Sequence, residues 1–229
     1  MNKPKVIIFD FDRTLAYLYK DKTLLTDLAK KICEYYCKYV DIQEEYYAID
    51  GYYAWYKLHS QICQKYNTKE AYKINKDAEK IVTDFEFKVM STTDLFEGVA
   101  EIIKKLYIND YQLMIVSSNS SEVIKYALEK NKIITYFVHI VGRPNPFNPD
   151  LIKPNAYPIR KAISKTNACL GEIWYVGDDI VDIDSAKQNN IISIGIASGK
   201  YSCQELKQHG ADYVLQNISD LLPFIDKCN

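Results

Sequence analysis

Short apolar runs of strand length alternate with helical patterns over most of the chain. Such runs are found at Lys5–Asp10, Gln112–Ser117, Phe137–Val141, Ile173–Gly177 and Ile191–Ala197. The later runs are separated by segments with helical periodicity, and this alternation is typical of a parallel sheet with helices packed on it. The pattern therefore predicts an α/β fold with a parallel sheet.

A different pattern fills residues 16–90, between the first and second apolar runs, where three helical stretches and no strand are predicted. The first and third stretches have apolar residues at helical spacing, whereas the middle one, about residues 44–66, is less regular. These apolar positions are Leu25, Leu28, Ile32, Tyr35 and Tyr39, then Ala71, Ile74, Ala78, Ile81, Phe85 and Val89. We therefore predict an inserted helical domain at 16–90 and a sheet-containing core formed by 1–15 and 91–229.

Tyrosine is concentrated in the predicted insertion, which holds 12 of the 20 tyrosines in the chain. This bias is expected either of an aromatic-walled pocket or of a small helical bundle packed with amphipathic rings, and we favour packing.

His59 and Cys63 lie four residues apart, a spacing that could orient two zinc ligands on a helix. No second pair accompanies them, so core packing is the better interpretation of these two residues as well.

Charge and composition limit the partners of this chain. Its 29 basic and 30 acidic residues give a formal net charge of -1, so no global field attracts nucleic acid or anionic lipid. The first apolar run ends at Asp10, too early for a signal-peptide core, and no later run is suited to span a bilayer. We therefore expect a cytoplasmic monomer or homodimer whose six cysteines are reduced.

Acidic side chains follow two of the predicted strands. Asp10 and Asp12 come at the end of the first run, and Asp178, Asp179 and Asp182 follow the fourth. Ligands of open α/β folds bind at the carboxyl edge of the sheet, where both clusters are expected to meet. Either cluster alone is explained equally well by helix capping. Together they form an oxygen-rich site of the kind that Mg²⁺ prefers, and a cation would relieve their mutual repulsion.

Two further segments carry groups suited to an anion. Ser117, Ser118 and Asn119 end the second run just before a predicted helix, where hydroxyl and backbone N–H groups bind phosphate well but also cap helices. Lys153, in the long loop after the third run, is able to neutralise a phosphate as a point charge, although most single lysines are merely solvated. Each of these signals is weak by itself.

Taken in order, the four segments DFDRT, SSN, KP and GDDIVD resemble the four motifs of the haloacid dehalogenase superfamily, and the match covers nearly the whole chain. The helical insertion and the tail at 206–222 are similar to the branch that contains phosphoglycolate phosphatase and β-phosphoglucomutase. The resemblance implies a Rossmann-like core with a helical cap domain. It also implies a Mg²⁺-dependent phosphatase that acts on a small phosphate monoester.

The resemblance also implies a role for each motif residue. Asp10 attacks phosphorus and becomes an aspartyl-phosphate, while Asp12 protonates the leaving oxygen and then activates water. Mg²⁺ is held by Asp10, Asp178 and the carbonyl of Asp12, and Asp182 acts through a bound water. The residues that contact the phosphoryl oxygens are Ser117, Ser118, Asn119 and Lys153.

One residue departs from the pattern of that branch. Arg13 stands where glycine is usual, so it is either a solvated residue or a group that pairs with a second anion on the substrate. Asp12 argues against dehalogenase and phosphonatase chemistry, because those reactions do not protonate an alkoxide. A phosphomutase needs the same residues and remains the alternative, with a receiver domain or a catalytically silent phosphate-binding module less favoured. The substrate stays open among phosphoglycolate, nucleotides and sugar phosphates.

Overall fold

The computed structural model describes residues 3–21 and 23–228. Its centre is a six-stranded parallel sheet with the strand order β3-β2-β1-β4-β5-β6. The strands are β1 (Val6–Phe9), β2 (Gln112–Val116), β3 (Phe137–Val141), β4 (Ile173–Gly177), β5 (Ile192–Ile196) and β6 (Tyr213–Leu215). The predicted α/β fold with a parallel sheet is therefore confirmed.

The helices of the described residues are α1 (Thr23–Tyr36), α2 (Gly51–Lys65), α3 (Thr68–Thr92), α4 (Val99–Ile108), α5 (Ser121–Lys130), α6 (Tyr157–Ile163), α7 (Ile180–Gln188), α8 (Cys203–Gln208) and α9 (Leu221–Asp226). In this part of the chain no helix is both long enough and apolar enough to cross a membrane. All six cysteines lie in it and are free thiols.

The central strands are continuous apolar runs because both faces of the sheet are covered. Every residue of β1 and of β4 is buried. On one face, side chains from four strands pack against helices α6 and α7 in a single apolar cluster. Its buried members are Val6, Ile8, Met114, Val116, Val141, Ile159, Ala162, Ile173, Tyr175, Ala186 and Ile191. This arrangement fixes β1 between β2 and β4, so that residues following β1 and β4 come side by side.

The chain divides into two compact units. The described residues fall into a core unit, within 1–17, 93–143 and 150–229, and a helical unit, within 18–92 and 144–149. The short segment 144–149 was expected in the core from its position in the sequence. It joins the helical unit because the Phe147 ring stacks on Trp55 and Tyr56, at centroid distances of 4.0 and 5.2 Å, and the Phe147 amide donates to Glu79 at 3.0 Å.

Within the helical unit, α1, α2 and α3 pack together through apolar faces and tyrosine rings. Asp50 caps α2 by accepting hydrogen bonds from the backbone amides of Tyr52 and Tyr53. A β-carbon on Gly51 would lie 2.6 Å from the side chain of Leu28, so α1 and α2 cross where only glycine fits. Successive tyrosine rings contact one another, as Tyr35–Tyr36, Tyr35–Tyr39, Tyr39–Tyr66 and Tyr52–Tyr56 do.

Candidate active site

Asp10 and Asp178 occupy equivalent positions at the carboxyl ends of two neighbouring strands. Phe9 pairs with Val176, and the amide of Asp10 continues the ladder by donating to the Val176 carbonyl at 2.8 Å. Asp178 follows directly after β4, and both carboxylates are buried. The strand order therefore brings the two predicted acidic clusters to the same edge of the core unit.

Asp182 reaches the same place from the first turn of α7. Asp179 is the N-cap of this helix, and Asp182 Oδ2 accepts a hydrogen bond from the Asp179 amide at 3.1 Å, which completes a capping box. The capping interpretation is therefore correct for both residues. Capping occupies only one carboxylate oxygen of Asp182, however, and the other points to Lys153. One side chain thus both starts the helix and joins the site.

Asp10, Asp178 and Asp182 form a buried group in which one carboxylate oxygen of each residue lies within 4.8 Å of the other two. It is the group in the described residues with the composition and spacing to hold a metal ion. His59 and Cys63 do not form such a group: His59 Nδ1 lies 3.9 Å from Cys63 Sγ, and His59 packs edge-on against Phe147. The sequence interpretation of that pair as packing agrees with this geometry.

Lys153 supplies the positive charge of the site. Its Nζ lies 2.6 Å from Asp10 Oδ1 and 2.5 Å from Asp182 Oδ1, and the lysine is buried. Tyr175, a core residue of β4, places its hydroxyl 3.1 Å from this Nζ and donates to the Val116 carbonyl at 2.8 Å. The lysine is thus held in one position by two carboxylates and a fixed hydroxyl.

Burial and mutual repulsion perturb the acidic groups strongly. Burial, together with the charge of Asp182, raises the pKa of Asp10 to about 7, although Lys153 opposes this rise. Burial and the charges of Asp182 and Asp10 raise the pKa of Asp178 to about 9. Burial alone would lower the pKa of Lys153, but the neighbouring carboxylates of Asp10 and Asp182 raise it well above its ordinary value. The lysine is therefore charged, whereas full ionisation of the acids needs a further cation.

The segment after β2 forms a tight turn before α5. Ser117 Oγ donates to Asn119 Oδ1 at 3.2 Å and accepts from the Asn119 amide at 3.4 Å. Ser120 is the N-cap of α5 and accepts from the Glu122 amide at 3.3 Å. Ser118 is partly exposed, unlike its buried neighbours. This turn therefore presents hydroxyl and amide groups at the carboxyl edge of the sheet, as the sequence predicts.

Asp12 and Arg13 lie in the loop that follows β1. Asp12 is partly exposed, and its side chain is outside the buried group of three carboxylates. Arg13 has the left-handed backbone angle φ 60°, and its guanidinium lies 5.8 Å from the centroid of the Tyr17 ring. Arg13 Nε is buried without a hydrogen-bond partner, and its carbonyl accepts from Ser198 Oγ. Glycine, which is usual at this position in the branch that the sequence resembles, would adopt this backbone angle without strain.

Three residues of this region were missed by sequence reasoning. Thr14 donates its hydroxyl to Asp178 Oδ1 at 3.3 Å, and its place in the first motif was the available signal. Tyr175 has the local pattern of an ordinary apolar strand residue. Gly199 passes so close to Asp178 that a β-carbon would overlap the carboxylate oxygen Oδ2. Nothing in the sequence around Gly199 points to Asp178, because the two meet only through the fold.

Comparison with known proteins agrees with the fold and with a hydrolase family. A sequence model described as haloacid dehalogenase-like hydrolase matches residues 7–196. A protein of Listeria welshimeri named pyrophosphatase PpaX is 32% identical over 130 residues, and the alignment covers 57% of this chain and 58% of that protein. A second pyrophosphatase PpaX, from Bacillus velezensis, is 29% identical over 56% of this chain and 57% of its own length. The chain thus aligns with little more than half the length of these relatives.

Solved structures match over nearly the whole chain. A predicted phosphatase from Clostridium acetobutylicum has a TM-score of 0.71 with 24% identity, covering 99% of this chain and 100% of its own. A predicted phosphoglycolate phosphatase from Haemophilus somnus has a TM-score of 0.69 with 20% identity, covering 98% of this chain and 99% of its own. These structures establish a shared fold. Since the family match spans most of the sequence, the chain belongs to the haloacid dehalogenase-like hydrolase family.

Proposed function

We propose that this protein is a Mg²⁺-dependent phosphatase that hydrolyses a small phosphate monoester through an aspartyl-phosphate on Asp10. The observation that carries the proposal is the buried position of Asp10 at the end of β1, 2.6 Å from Lys153 and in one group with Asp178 and Asp182. A carboxylate nucleophile divides one hydrolysis into two displacements. Membership of a hydrolase family supports the same reaction class.

The residues present fit a divalent cation. Three buried carboxylates face one ammonium group, so full ionisation leaves two negative charges that one divalent ion balances. Oxygen ligands alone favour a hard ion such as Mg²⁺. Asp10, Asp178 and the carbonyl of Asp12 would hold it, with Asp182 acting through a water. When bound, Mg²⁺ supplies positive charge against the phosphoryl oxygens.

The protein side chains carry the remaining steps. Asp10 attacks phosphorus, and Asp12, which is partly exposed, protonates the leaving oxygen and then takes a proton from the attacking water. Lys153 holds the Asp10 carboxylate in place and opposes charge that develops on the phosphoryl group. The turn of Ser117, Ser118 and Asn119 binds the phosphoryl oxygens through hydroxyl, amide and backbone groups.

Substrate choice is assigned to groups that do not contact the phosphoryl group, because all candidate substrates share that group. The inserted helical domain would supply most of the discrimination, and Arg13 would pair with a second anionic group on the substrate. One relative is named a pyrophosphatase and a solved structure is described as a predicted phosphoglycolate phosphatase. Pyrophosphate and phosphoglycolate are therefore among the compounds to test, and both carry such a second anion. A small phosphorylated metabolite as partner, a cytoplasmic location and a monomeric or homodimeric state belong to the same proposal.

A phosphate-release screen tests the proposal. The protein is incubated with Mg²⁺ and a panel of pyrophosphate, phosphoglycolate, nucleotides and sugar phosphates, with Asp10→Asn as the blank. We expect release from at least one compound by the wild type and none by the variant. Release by Asp10→Asn at the wild-type rate would remove Asp10 as the nucleophile. Isomerisation of a sugar phosphate in place of release would identify the mutase alternative.

A further inference from the structure

Arg143 is a buried arginine beside the candidate phosphate-binding turn. It follows β3 after one intervening residue, Gly142, and only 5% of its surface is exposed. The sequence places it at the start of a loop rich in proline and asparagine, with no sign of a role in the site. Arginine is rarely buried to this extent unless its charged group is bound by protein or ligand.

Two contacts of Arg143 reach successive carbonyl groups of the turn. Its side-chain Nη1 donates to the Ser118 carbonyl at 3.3 Å. Its backbone amide donates to the Asn119 carbonyl at 2.8 Å. One residue therefore holds both the peptide unit between Ser118 and Asn119 and the unit between Asn119 and Ser120.

Because the peptide bond is planar, these contacts with the carbonyl groups also fix the direction of the amide N–H groups. In a trans peptide the carbonyl of one residue and the N–H of the next point in opposite directions. Because Arg143 binds the Ser118 and Asn119 carbonyls, the N–H groups of Asn119 and Ser120 are directed away from it. The Asn119 amide does point to the Ser117 hydroxyl, at 3.4 Å. This is a long hydrogen bond, and an anionic oxygen is a stronger acceptor than a hydroxyl.

The end of β3 is pressed against the same turn. The Gly142 amide donates to Ser121 Oγ at 2.9 Å. A β-carbon on Gly142 would lie 2.5 Å from the Ser121 amide nitrogen and 2.7 Å from the Asn119 carbonyl oxygen. The approach needed for the Arg143 contacts is thus possible because glycine precedes it.

We propose that Arg143 is a positioning residue that directs the Asn119 and Ser120 amides toward the phosphoryl group of the substrate. This inference rests on the proposed function, since it assigns the turn to phosphate binding. The side-chain and backbone contacts of Arg143 with the turn have separable effects. A side-chain substitution releases the Ser118–Asn119 peptide and leaves the Asn119–Ser120 peptide bound by the backbone.

The test measures binding of inorganic phosphate in the presence of Mg²⁺ to the full chain, by calorimetry and by amide NMR shifts. The variants are Arg143→Ala, Arg143→Gln, which keeps an amide donor without the charge, and the exposed control Arg160→Ala. For Arg143→Ala we expect binding weakened about tenfold or more, which corresponds to losing about 1.4 kcal/mol. Arg143→Gln should lose a similar amount, because its side-chain nitrogen lies two bonds short of the Arg143 Nη1 and does not reach the Ser118 carbonyl.

The NMR readout separates positioning from a general loss of structure. Phosphate should shift both the Asn119 and Ser120 amides in the wild type and in Arg160→Ala, but only the Ser120 amide in Arg143→Ala. Equal phosphate affinity of Arg143→Ala and wild type would overturn the inference. So would an Arg143→Ala variant in which phosphate still shifts both amides, because the side chain would then not position the Asn119 amide. A wild type that binds no phosphate would overturn the proposed function itself.

Discussion

At the scale of single residues, Arg13 combines a strained backbone with a candidate role in substrate choice. A β-carbon in the left-handed region costs roughly 1–2 kcal/mol, whereas glycine avoids this cost but loses more entropy on folding. Both Arg13→Gly and Arg13→Ala remove the contact with Tyr17, so comparing the two variants isolates the effect of the backbone conformation on stability. We expect Arg13→Gly to be more stable than Arg13→Ala by up to about 1 kcal/mol in urea unfolding. An alanine variant that is the more stable of the two would contradict the strained backbone.

Gly199 tests whether Asp178 must keep its present position. A methyl group at Gly199 would overlap Asp178 Oδ2, so Gly199→Ala has to displace the carboxylate. We expect Mg²⁺ affinity to fall about tenfold or more, measured as the Mg²⁺ concentration that gives half the stabilisation in thermal unfolding. Gly171→Ala is the matched control, since a β-carbon there meets open space. Unchanged Mg²⁺ affinity in Gly199→Ala would show that Asp178 is not a ligand.

The residues of the site differ in how far they were predictable. The sequence places Asp10, Asp178 and Asp182 at one sheet edge because Asp10 and Asp178 directly follow strands that the apolar pattern shows, and Asp182 lies about one helical turn after Asp178. Tyr175 and Gly199 could not be identified in this way. Their contribution depends on which residues the fold brings within a few ångströms, and a tyrosine in an apolar strand or a glycine in a loop has an ordinary local explanation.

At the scale of elements, the five apolar runs that predict strands match β1 to β5 to within about one residue at each end. The sixth strand, β6 (Tyr213–Leu215), was missed because it has three residues at the sheet edge and is partly exposed, so it lacks a continuous apolar run. The irregular middle stretch of the insertion resolves into a 3-10 turn at Glu44–Tyr47 and helix α2. Its periodicity was obscured because the helix begins only at Gly51, after the capping residue Asp50.

The segment 144–149 is an element whose packing the sequence did not show. Phe147 is nearly fully buried against Trp55 and Tyr56, so Phe147→Ala should destabilise the helical unit by about 3 kcal/mol. Urea unfolding is followed by fluorescence in a Trp174→Phe background, where Trp55 is the remaining tryptophan. Tyr72→Ala removes a half-exposed ring and serves as the control. If both variants unfold at the same urea concentration, the Phe147 ring does not stabilise this unit.

At the scale of the whole molecule, the raised carboxyl pKa values predict how stability depends on pH and metal. The folded pKa values of Asp10 and Asp178, about 7 and about 9, exceed the ordinary value near 4, so the folded state binds more protons than the unfolded state. In metal-free protein the free energy of unfolding should therefore fall as pH rises from about 4 to about 9.

Thermal unfolding in EDTA and in Mg²⁺ across this range measures the effect. Stabilisation by Mg²⁺ should grow with pH because the ion binds the ionised carboxylates, and Asp178→Asn should flatten the EDTA profile. Metal-free protein that becomes more stable over the same range would contradict the perturbed carboxylates.

Transfer of the phosphoryl group to Asp10 is tested most directly by trapping the phosphorylated protein. An Asp12→Asn variant lacks the base for the second displacement. Because it also lacks the acid for the first, it is mixed with Mg²⁺ and p-nitrophenyl phosphate, whose leaving oxygen needs little protonation. The mixture is quenched in acid and analysed by peptide mass spectrometry. We predict a phosphoryl adduct on the peptide that contains Asp10, and its absence when Asp10→Asn is added to the same variant. An adduct on any other residue, or full turnover by Asp10→Asn alone, would contradict the aspartyl-phosphate mechanism.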